Sequence, residues 1–566
     1  MQKRENYNLI LLGGTGARCG EIFVHMCANG YLDCELVNIL YIDSDQDNGN
    51  GQCFKKLVEI YQECQKQYRI PNNSIPCFFR PQIRLILADP VQGFSYFKDL
   101  SRPTMNSMME DNGGDALMQA LYSEEEQNMK ISDGFFAHPN VGAALFAASM
   151  DKIMAEFLHM IQLRQDLETT KIFMIGSLFG GTGASSLPTI SQYLRKTLFG
   201  NSDNKLVNEK LKIGGCMVLP YFRFSKENLP NAPAPGKGIA IESEKFATKT
   251  RSALEYYQYM DNDQSQMFES LYILGHDGND IRGFYTTAGS TQRNLPHIVE
   301  FYGAMACVHF FESSMEERGR YFSVVGKNTI YWNDIYKNTR GYFNFLMMMR
   351  FAIVMKSLIL EEMFDHTREN KLKPMARDIP WYYAFLDGKD HSVDMEEDQL
   401  FHKFESISRY CDEYIRWFAE LNIADIHKVN DLKSISYKTV DPGEKSDVVE
   451  YLRFFSKELL IRQHQNNCIG LGLCSDMNDT MSESIYRENV SYIREHFTQL
   501  EEVHTFSNMD TEQINMSQIW SRICDLGFNS SNTGKLPVEN ISSAIDKRMD
   551  ACVRNLVNAV YIACMI

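Results

Sequence analysis

Short runs of apolar residues alternate with amphipathic segments over the first 335 residues of the chain. The runs have the length of buried strands, and the segments between them repeat apolar residues at helical spacing. The predicted strands lie at residues 7–12, 36–42, 83–87, 172–175, 213–219 and 271–274, and a long central helix is predicted at about 292–313. Strands that alternate with helices predict an α/β fold with a parallel sheet.

The pattern changes near residue 335. Strand-like runs disappear, and stretches with helical spacing follow at 341–365, 396–421, 447–463, 482–499 and 538–565. We therefore predict two domains, an α/β domain over residues 1–335 and a mainly α-helical C-terminal domain over residues 336–566.

Composition and charge narrow the possible partners. The chain of 566 residues is 44% hydrophobic, which is typical of a globular protein, and its net charge is −16. Because this charge would repel phosphate backbones, no nucleic acid is expected as a partner. The most apolar window, 343–360, carries Arg350 and Lys356 and predicts a buried helix, not a membrane span. The 14 cysteines form no CxxC pair and the first residues do not read as a signal peptide, so we expect a cytoplasmic protein.

A glycine-rich turn follows the strand at 172–175 and leads into a segment with helical spacing. The residues of this turn are Phe179, Gly180, Gly181, Thr182, Gly183 and Ala184. Glycines let the backbone approach an anion, and the free amides of a helix N-terminus favour negative charge. The turn therefore predicts a phosphate site, although a plain strand-to-helix connection fits it equally well.

Two further turns of this kind precede predicted helices. The first follows the first strand and contains Gly13, Gly14, Thr15, Gly16, Ala17 and Arg18; the second spans 134–142 and contains His138, Pro139, Asn140 and Gly142. Asp43 and Asp45 follow the second strand. The carboxyl ends of parallel strands share one edge of the sheet, where ligands bind. Three turns on that edge predict a site for a polyphosphate.

The first strand–helix–strand unit alone also fits a Rossmann-type dinucleotide-binding enzyme. Its first turn contains Gly14-x-Gly16, and acids follow the second strand. However, Cys19 stands where the dinucleotide fingerprint has glycine or alanine. This alternative also leaves the turn at 180–183 unexplained.

The order and content of the three turns resemble the tubulin/FtsZ superfamily, and the helical C-terminal part resembles the divergent tubulin-like proteins of bacteria. The family loop reads GGGTGSG and continues AAPVI; here residues 179–185 read FGGTGAS, and Pro188 stands at the matching offset. An FtsZ loop that reads GAGANPEVG is similar to GFFAHPNVG at 134–142. The resemblance implies a Rossmann-like, nucleotide-binding domain over residues 1–335.

This resemblance also implies the ligand, GTP or GDP with Mg²⁺. The turns at 13–18 and 179–184 would hold the phosphates, and residues 138–142 would close over the terminal one. Asp43 or Asp45 would contact Mg²⁺ or the ribose. The candidates for contact with the base are Arg251, Asn294 and His297, each of which also has an ordinary structural interpretation.

In the superfamily, an acid after the central helix completes hydrolysis at the neighbouring subunit's nucleotide. Asp334 is the candidate here, with Glu316 and Glu317 as alternatives. The sequence thus predicts a tubulin-like GTP-binding protein that assembles into an oligomer or filament and hydrolyses GTP between subunits. A nucleotide-gated scaffold without hydrolysis, which binds another protein through its helical C-terminal domain, is the alternative.

Overall fold

The structure is a computed structural model, and it describes the N-terminal part of the chain most fully. Between residues 6 and 325 it describes all except 33, 70–77, 91–103, 105, 107–114, 136–137, 163–169, 200–210, 226–242, 263–266, 277–279, 285–291 and 314–319. Beyond residue 325 it describes 344, 345, 348, 351, 352, 355, 397–421 and 557.

A parallel sheet is the centre of the N-terminal domain. The strands are β1 (Tyr7–Leu12), β2 (Leu36–Ile42), β3 (Gln82–Ala88), β4 (Thr170–Ser177), β5 (Leu211–Val218), β6 (Arg223–Ser225), β7 (Ser270–Gly275), β8 (Ile281–Phe284) and β9 (Arg320–Val325). Within the described ranges seven of them form one sheet in the order β3-β2-β1-β4-β5-β7-β9, while β6 and β8 pair separately. The order reverses between β1 and β4, and this is the point at which doubly wound sheets bind their ligands.

Helices connect most of the strands. They are α1 (Gly13–Ala28), α2 (Gly49–Tyr68), α3 (Asp115–Leu121), α4 (Glu124–Gln127), α5 (Pro139–Gln162), α6 (Gly181–Phe199), α7 (Phe246–Asn262), α8 (Ile298–Glu312) and α9 (Glu397–Leu421). None of the helices in the described part of the chain is long and apolar enough to cross a membrane.

Both faces of the sheet are covered, which explains why its strands read as continuous apolar runs. Along β1, Leu9 and Leu11 point into a core with α1, α2 and α8, while Ile10 and Leu12 point into a second core with α5 and α6. This division follows from the two-residue period of a strand. All four side chains are fully buried.

Helix α9 packs against α1 and α2 and belongs to the first of these cores. Trp417 and Tyr414 enclose the buried imidazole of His25 on α1, with ring centroids 4.9 Å from it in both cases. Arg416 of α9 donates to Glu21 of α1 across 2.9 Å. The helix confirms the predicted stretch at 396–421; the other four predicted helical stretches lie wholly or largely outside the described residues.

The structure confirms the predicted α/β architecture, with two differences near the ligand edge. Residues 47–51 have a composition typical of a turn, but Asn48 caps α2, which already begins at Gly49. The side chain of Asn48 accepts from the amide of Asn50 across 2.9 Å, so this polar, glycine-rich segment starts a helix instead of interrupting one. Strands β6, β8 and β9 had not been predicted.

Candidate functional site

Three helices begin directly at the carboxyl edge of the sheet around the β1/β4 switch point. Helix α1 follows β1 without an intervening loop, α6 starts at Gly181 after β4, and α5 starts at Pro139. None of the three has an acidic residue in its first turn, and no side chain caps the start of α1. Their free amides and positive dipole ends therefore favour a bound anion.

The turn after β1 and the turn after β4 touch each other. Gly13 has a φ of +66°, and a Cβ built on it would lie 3.1 Å from the Cβ of Thr182. The hydroxyl group of Thr182 donates in turn to Asp43 after β2 across 3.3 Å. Residues that are 139 positions apart thus share one hydrogen bond at the switch point.

The loop at 134–142 closes on the same place. A Cβ on Gly142 would lie 2.4 Å from the Ser185 hydroxyl oxygen, and one on Gly181 would lie 2.5 Å from the Cβ of Phe135. At the other end of the loop, a Cβ on Gly134 would lie 3.6 Å from the Cβ of Asp45. The prediction that separate turns converge on one edge therefore holds in the structure.

Glycine is required at the centre of the α6 turn. A Cβ on Gly183 would lie 2.5 Å and 2.6 Å from the backbone oxygen and nitrogen of Ser177, which cannot move aside. At Gly180 the same atom would meet only the hydroxyl of Ser177, at 2.7 Å. The turn packs backbone against backbone, as a phosphate-binding turn does.

Two buried carboxylates, Asp43 and Asp45, lie beside this turn. Burial, together with the neighbouring charge of Asp45, raises the pKa of Asp43 to about 7. Asp43 accepts hydrogen bonds from the Tyr41 hydroxyl at 3.1 Å and from Thr182. A divalent cation would stabilise the charged forms of two neighbouring buried acids.

Comparison with known protein families gives a match in the same region. A family model described as "Tubulin like" matches residues 9–234, which include all three turns and both acids. Residues 9–234 are similar to the tubulin-like family, and this match supports a tubulin/FtsZ-like assignment for the N-terminal domain. None of the curated proteins compared with the chain matches it. The match supports a tubulin-like, GTP-binding protein at the level of the family.

Arg18 of the tubulin-like domain does not present its side chain to the edge. Its guanidinium group pairs with buried Glu300 of α8, with Nη2 2.8 Å from Oε2, and it also donates to Asn50 and to the carbonyls of Asn294 and Leu295. These contacts use all five of its N–H donors. Although burial alone would lower the pKa of Arg18, the charge of Glu300 raises it. Arg18 therefore fixes the segment before α8.

The two predicted base contacts behave differently. His297 caps α8: its Nδ1 accepts from the amide of Val299, and its Nε2 donates to Asp280 across 3.0 Å. Asn294 is buried, its amide donates to Asn50, and its side-chain oxygen has no hydrogen-bond partner in the part of the chain that the structure describes. Arg251, by contrast, is exposed on α7 and pairs with Glu255.

A carboxylate clamps residues 138–140, which lead into α5. Glu126 accepts from His138 at 2.9 Å and from Asn140 at 2.8 Å, as well as from Ser123 at the start of α4. Burial alone would raise the pKa of Glu126, but these hydrogen bonds lower it to about 2. Glu126 also completes an S-x-x-E capping box with Ser123, a pattern that indicates the start of a helix but not the contacts with His138 and Asn140.

Three potential metal ligands, His276, Asp280 and His297, lie with their ligand atoms within 4.8 Å of one another. The hydrogen bonds of His297 account for this cluster without a metal. Because Nδ1 accepts from Val299, the proton sits on Nε2, where a metal would need a lone pair. Arg282 adds a positive charge 3.5 Å from Asp280.

Asp334, the predicted hydrolytic acid, lies outside the described residues, as do Glu316 and Glu317. Three residues that the sequence did not indicate support the site: Asn50, Tyr221 and Glu300. Asn50 accepts from both Arg18 and Asn294, and Tyr221 donates to Glu300 across 2.5 Å. Only the polar composition around Asn50 could have indicated the first of them.

Proposed function

We propose that the carboxyl edge around the β1/β4 switch point binds GTP and GDP. The observation that carries this proposal is the contact of the two glycine turns through Gly13 and Thr182, where two helix N-termini meet without any acid of their own. The phosphates lie on residues 13–17 and 179–184, and the loop at 138–142 covers the terminal phosphate. Arg18 acts indirectly, because its donors are occupied.

The acids fit a magnesium ion held with the phosphates. Asp43 and Asp45 are hard oxygen ligands, and a divalent cation offsets the burial and the repulsion from Asp45 that together raise the pKa of Asp43. Mg²⁺ supplies charge neutralisation to the phosphates when it is bound. Thr182 hydrogen-bonds Asp43, and so aligns the acid with the turn.

Asn294 is the residue that we propose for contact with the base. Its buried side-chain oxygen is an acceptor without a partner among the described residues. This oxygen lies beside Gly283 of β8, where an added Cβ would be 3.3 Å from it. Guanine presents N–H donors on its pairing edge, which such an acceptor can bind. His297 has both ring nitrogens in use and serves instead to start α8.

Self-assembly with hydrolysis between subunits is the function that we infer from this site. In this scheme Asp334 positions water at the nucleotide of a neighbouring subunit. A nucleotide-gated scaffold is the second candidate, because α9 contacts the site's supporting elements: Glu420 accepts from Arg293, beside Asn294, across 2.5 Å. A dinucleotide enzyme would account for the first turn alone, whereas a nucleoside triphosphate occupies both.

Identification of the nucleotide is the first test. The purified protein is denatured and the released ligand identified; GTP or GDP supports the proposal, and NAD or FAD would overturn it. Phosphate release is then measured over a range of protein concentrations. A rise steeper than linear supports hydrolysis between subunits, a linear rise argues against it, and retained nucleotide without turnover favours the scaffold.

Thr182→Ala tests the site itself. Loss of the hydroxyl removes the hydrogen bond that aligns Asp43 with the turn, and we expect nucleotide affinity to fall at least tenfold. Thr189→Ala is the control, because it removes a hydroxyl that donates to Ser185 across 3.0 Å further along the same helix. Equal affinities of Thr182→Ala and the wild-type protein would place the nucleotide elsewhere.

A further inference from the structure

Helix α6, which begins with the glycine turn, contains a proline at position 188. Proline has no backbone N–H, so the carbonyl group four residues earlier loses its helical partner. That carbonyl belongs to Ala184, the last residue of the turn. It is buried, and a buried carbonyl without a donor is costly.

A side chain from another helix supplies the missing donor. The hydroxyl group of Tyr257 on α7 donates to the carbonyl oxygen of Ala184, and Tyr257 is itself buried. The neighbouring carbonyls of the turn have local hydroxyl donors: Ser185 donates to Gly181 across 2.8 Å, and Ser186 donates to Thr182 across 2.6 Å. Within the described residues, these two hydroxyl donors lie four residues from their acceptors, whereas the donor to the Ala184 carbonyl lies 73 residues away.

Helix α7 also contacts the other end of the turn. The ring of Phe246, its first residue, packs on that of Phe179 with centroids 4.7 Å apart. The turn at 180–183 therefore lies between two contacts with a single helix. One of these contacts is apolar, and the other is the directional hydrogen bond from Tyr257.

We propose that Tyr257 is a positioning residue for the nucleotide, acting through Ala184. Its hydroxyl completes the helical ladder that Pro188 interrupts, and so holds the first turn of α6 at the angle at which its amides face the phosphates. The inference rests on the proposed nucleotide site. No property of Tyr257 in the sequence indicates this role, since it lies in an ordinary amphipathic helix.

A double-mutant cycle separates positioning from ordinary stabilisation. Tyr257→Phe removes the hydroxyl and keeps the ring, whereas Pro188→Ala restores the N–H that Ala184 would otherwise bond. We expect Tyr257→Phe to weaken binding of a fluorescent GDP analogue about tenfold in the wild-type background, since an unsatisfied buried carbonyl is disfavoured. In the Pro188→Ala background the same change should weaken binding less than twofold.

Ser191→Ala is the matched control, because Ser191 on the same helix also donates a buried hydroxyl to a carbonyl, that of Met267, across 2.6 Å. It should lower the melting temperature of the nucleotide-free protein about as much as Tyr257→Phe but leave affinity within twofold of wild type. If Tyr257→Phe does not fold, the Pro188→Ala double variant must fold and bind; failure of that variant overturns the proposal.

The remaining outcomes distinguish the two levels of inference. Wild-type protein that binds no guanine nucleotide overturns the proposed function and this inference with it. Wild-type protein that binds, together with a Tyr257→Phe variant of unchanged affinity, overturns only the positioning role. An equal loss in both proline backgrounds also overturns it, because the effect would then not pass through the Ala184 carbonyl.

Discussion

The two glycine turns at the switch point serve the same edge but are supported by different chemistry. Behind the turn after β1, in the second helical turn of α1, Arg18 forms a buried ion pair with Glu300 of α8. Around the α6 turn the support is neutral, with hydroxyl groups such as those of Ser185 and Tyr257 on backbone carbonyls. A buried charge left alone is far more costly than a lost neutral hydrogen bond. Substitutions behind the first turn should therefore affect folding, and those behind the second mainly ligand binding.

The largest expected effect is that of Arg18→Met. It leaves the Glu300 carboxylate buried without its ion-pair partner, so we expect the free energy of unfolding to fall by about 3–5 kcal/mol. Urea unfolding measures this change. Arg251→Met is the control, because Arg251 pairs with Glu255 on the exposed surface of α7, and loss of an exposed pair should change stability by less than about 1 kcal/mol.

A stable Arg18→Met variant that had only lost nucleotide would contradict the claim that the ion pair behind the first turn supports folding. It would mean that Arg18 reaches the phosphates and that its pairing with Glu300 is replaced on binding.

Gly183→Ala should have the next largest effect, and it tests the second turn. The new Cβ would meet the backbone of Ser177 at 2.5 Å, so the turn must shift, at a cost of about 3 kcal/mol and with loss of nucleotide retention. Gly180→Ala meets only the Ser177 side chain and should keep stability. Measurement of co-purifying nucleotide and of urea unfolding in both variants separates them, and equal behaviour would show that close packing does not define the turn.

The sequence was sufficient for the sheet because its strands are buried on both faces. The continuous apolar runs at 7–12 and 36–42 coincide with β1 and β2. The glycine turns were also recognisable, since their spacing is a local property. By contrast, β6 and β8 are only three and four residues long, which is too short for an alternation of apolar and polar residues to be recognised.

The roles of charged side chains could not be predicted in the same way. Arg18 stands within a phosphate-binding turn in sequence, yet the partner that occupies it, Glu300, lies 282 residues away. Likewise, nothing local connects Tyr257 with Ala184, 73 residues earlier. Such pairings are consequences of tertiary packing, and a single sequence records them only as isolated residues.

Asp43→Asn should alter how stability depends on pH in the nucleotide-free, chelated protein. The folded-state pKa of Asp43 is about 7, above its ordinary value of 3.8, so the folded state holds a proton more tightly than the unfolded state. Its contribution to stability is therefore lost as pH rises from about 4 to about 7. We expect Asp43→Asn to match wild type near pH 4 and to exceed it by up to roughly 4 kcal/mol near pH 8.

Urea unfolding at both pH values tests this, and a difference that stays constant would show that the pKa of Asp43 is not raised in the folded protein. Added Mg²⁺ should reduce the advantage of the Asp43→Asn variant, because the cation neutralises the wild-type pair. This result would show that the acids between the two turns, like Arg18, affect folding through their buried charge.

The smallest effect is expected for Glu126→Gln, which tests the clamp on the loop at 138–140. The pKa of Glu126 is about 2, below its ordinary value of 4.5, so its stabilising contribution is present above pH 4.5 and is lost as pH falls towards 2. We expect the variant to be about 1 kcal/mol less stable than wild type at pH 7, with the difference shrinking by pH 3. Glu125→Gln is the control, since Glu125 is exposed in the same turn of α4. If Glu126→Gln instead releases nucleotide at unchanged stability, the clamp belongs with the neutral supports of the α6 turn, because its hydrogen bonds would then serve the ligand and not the fold.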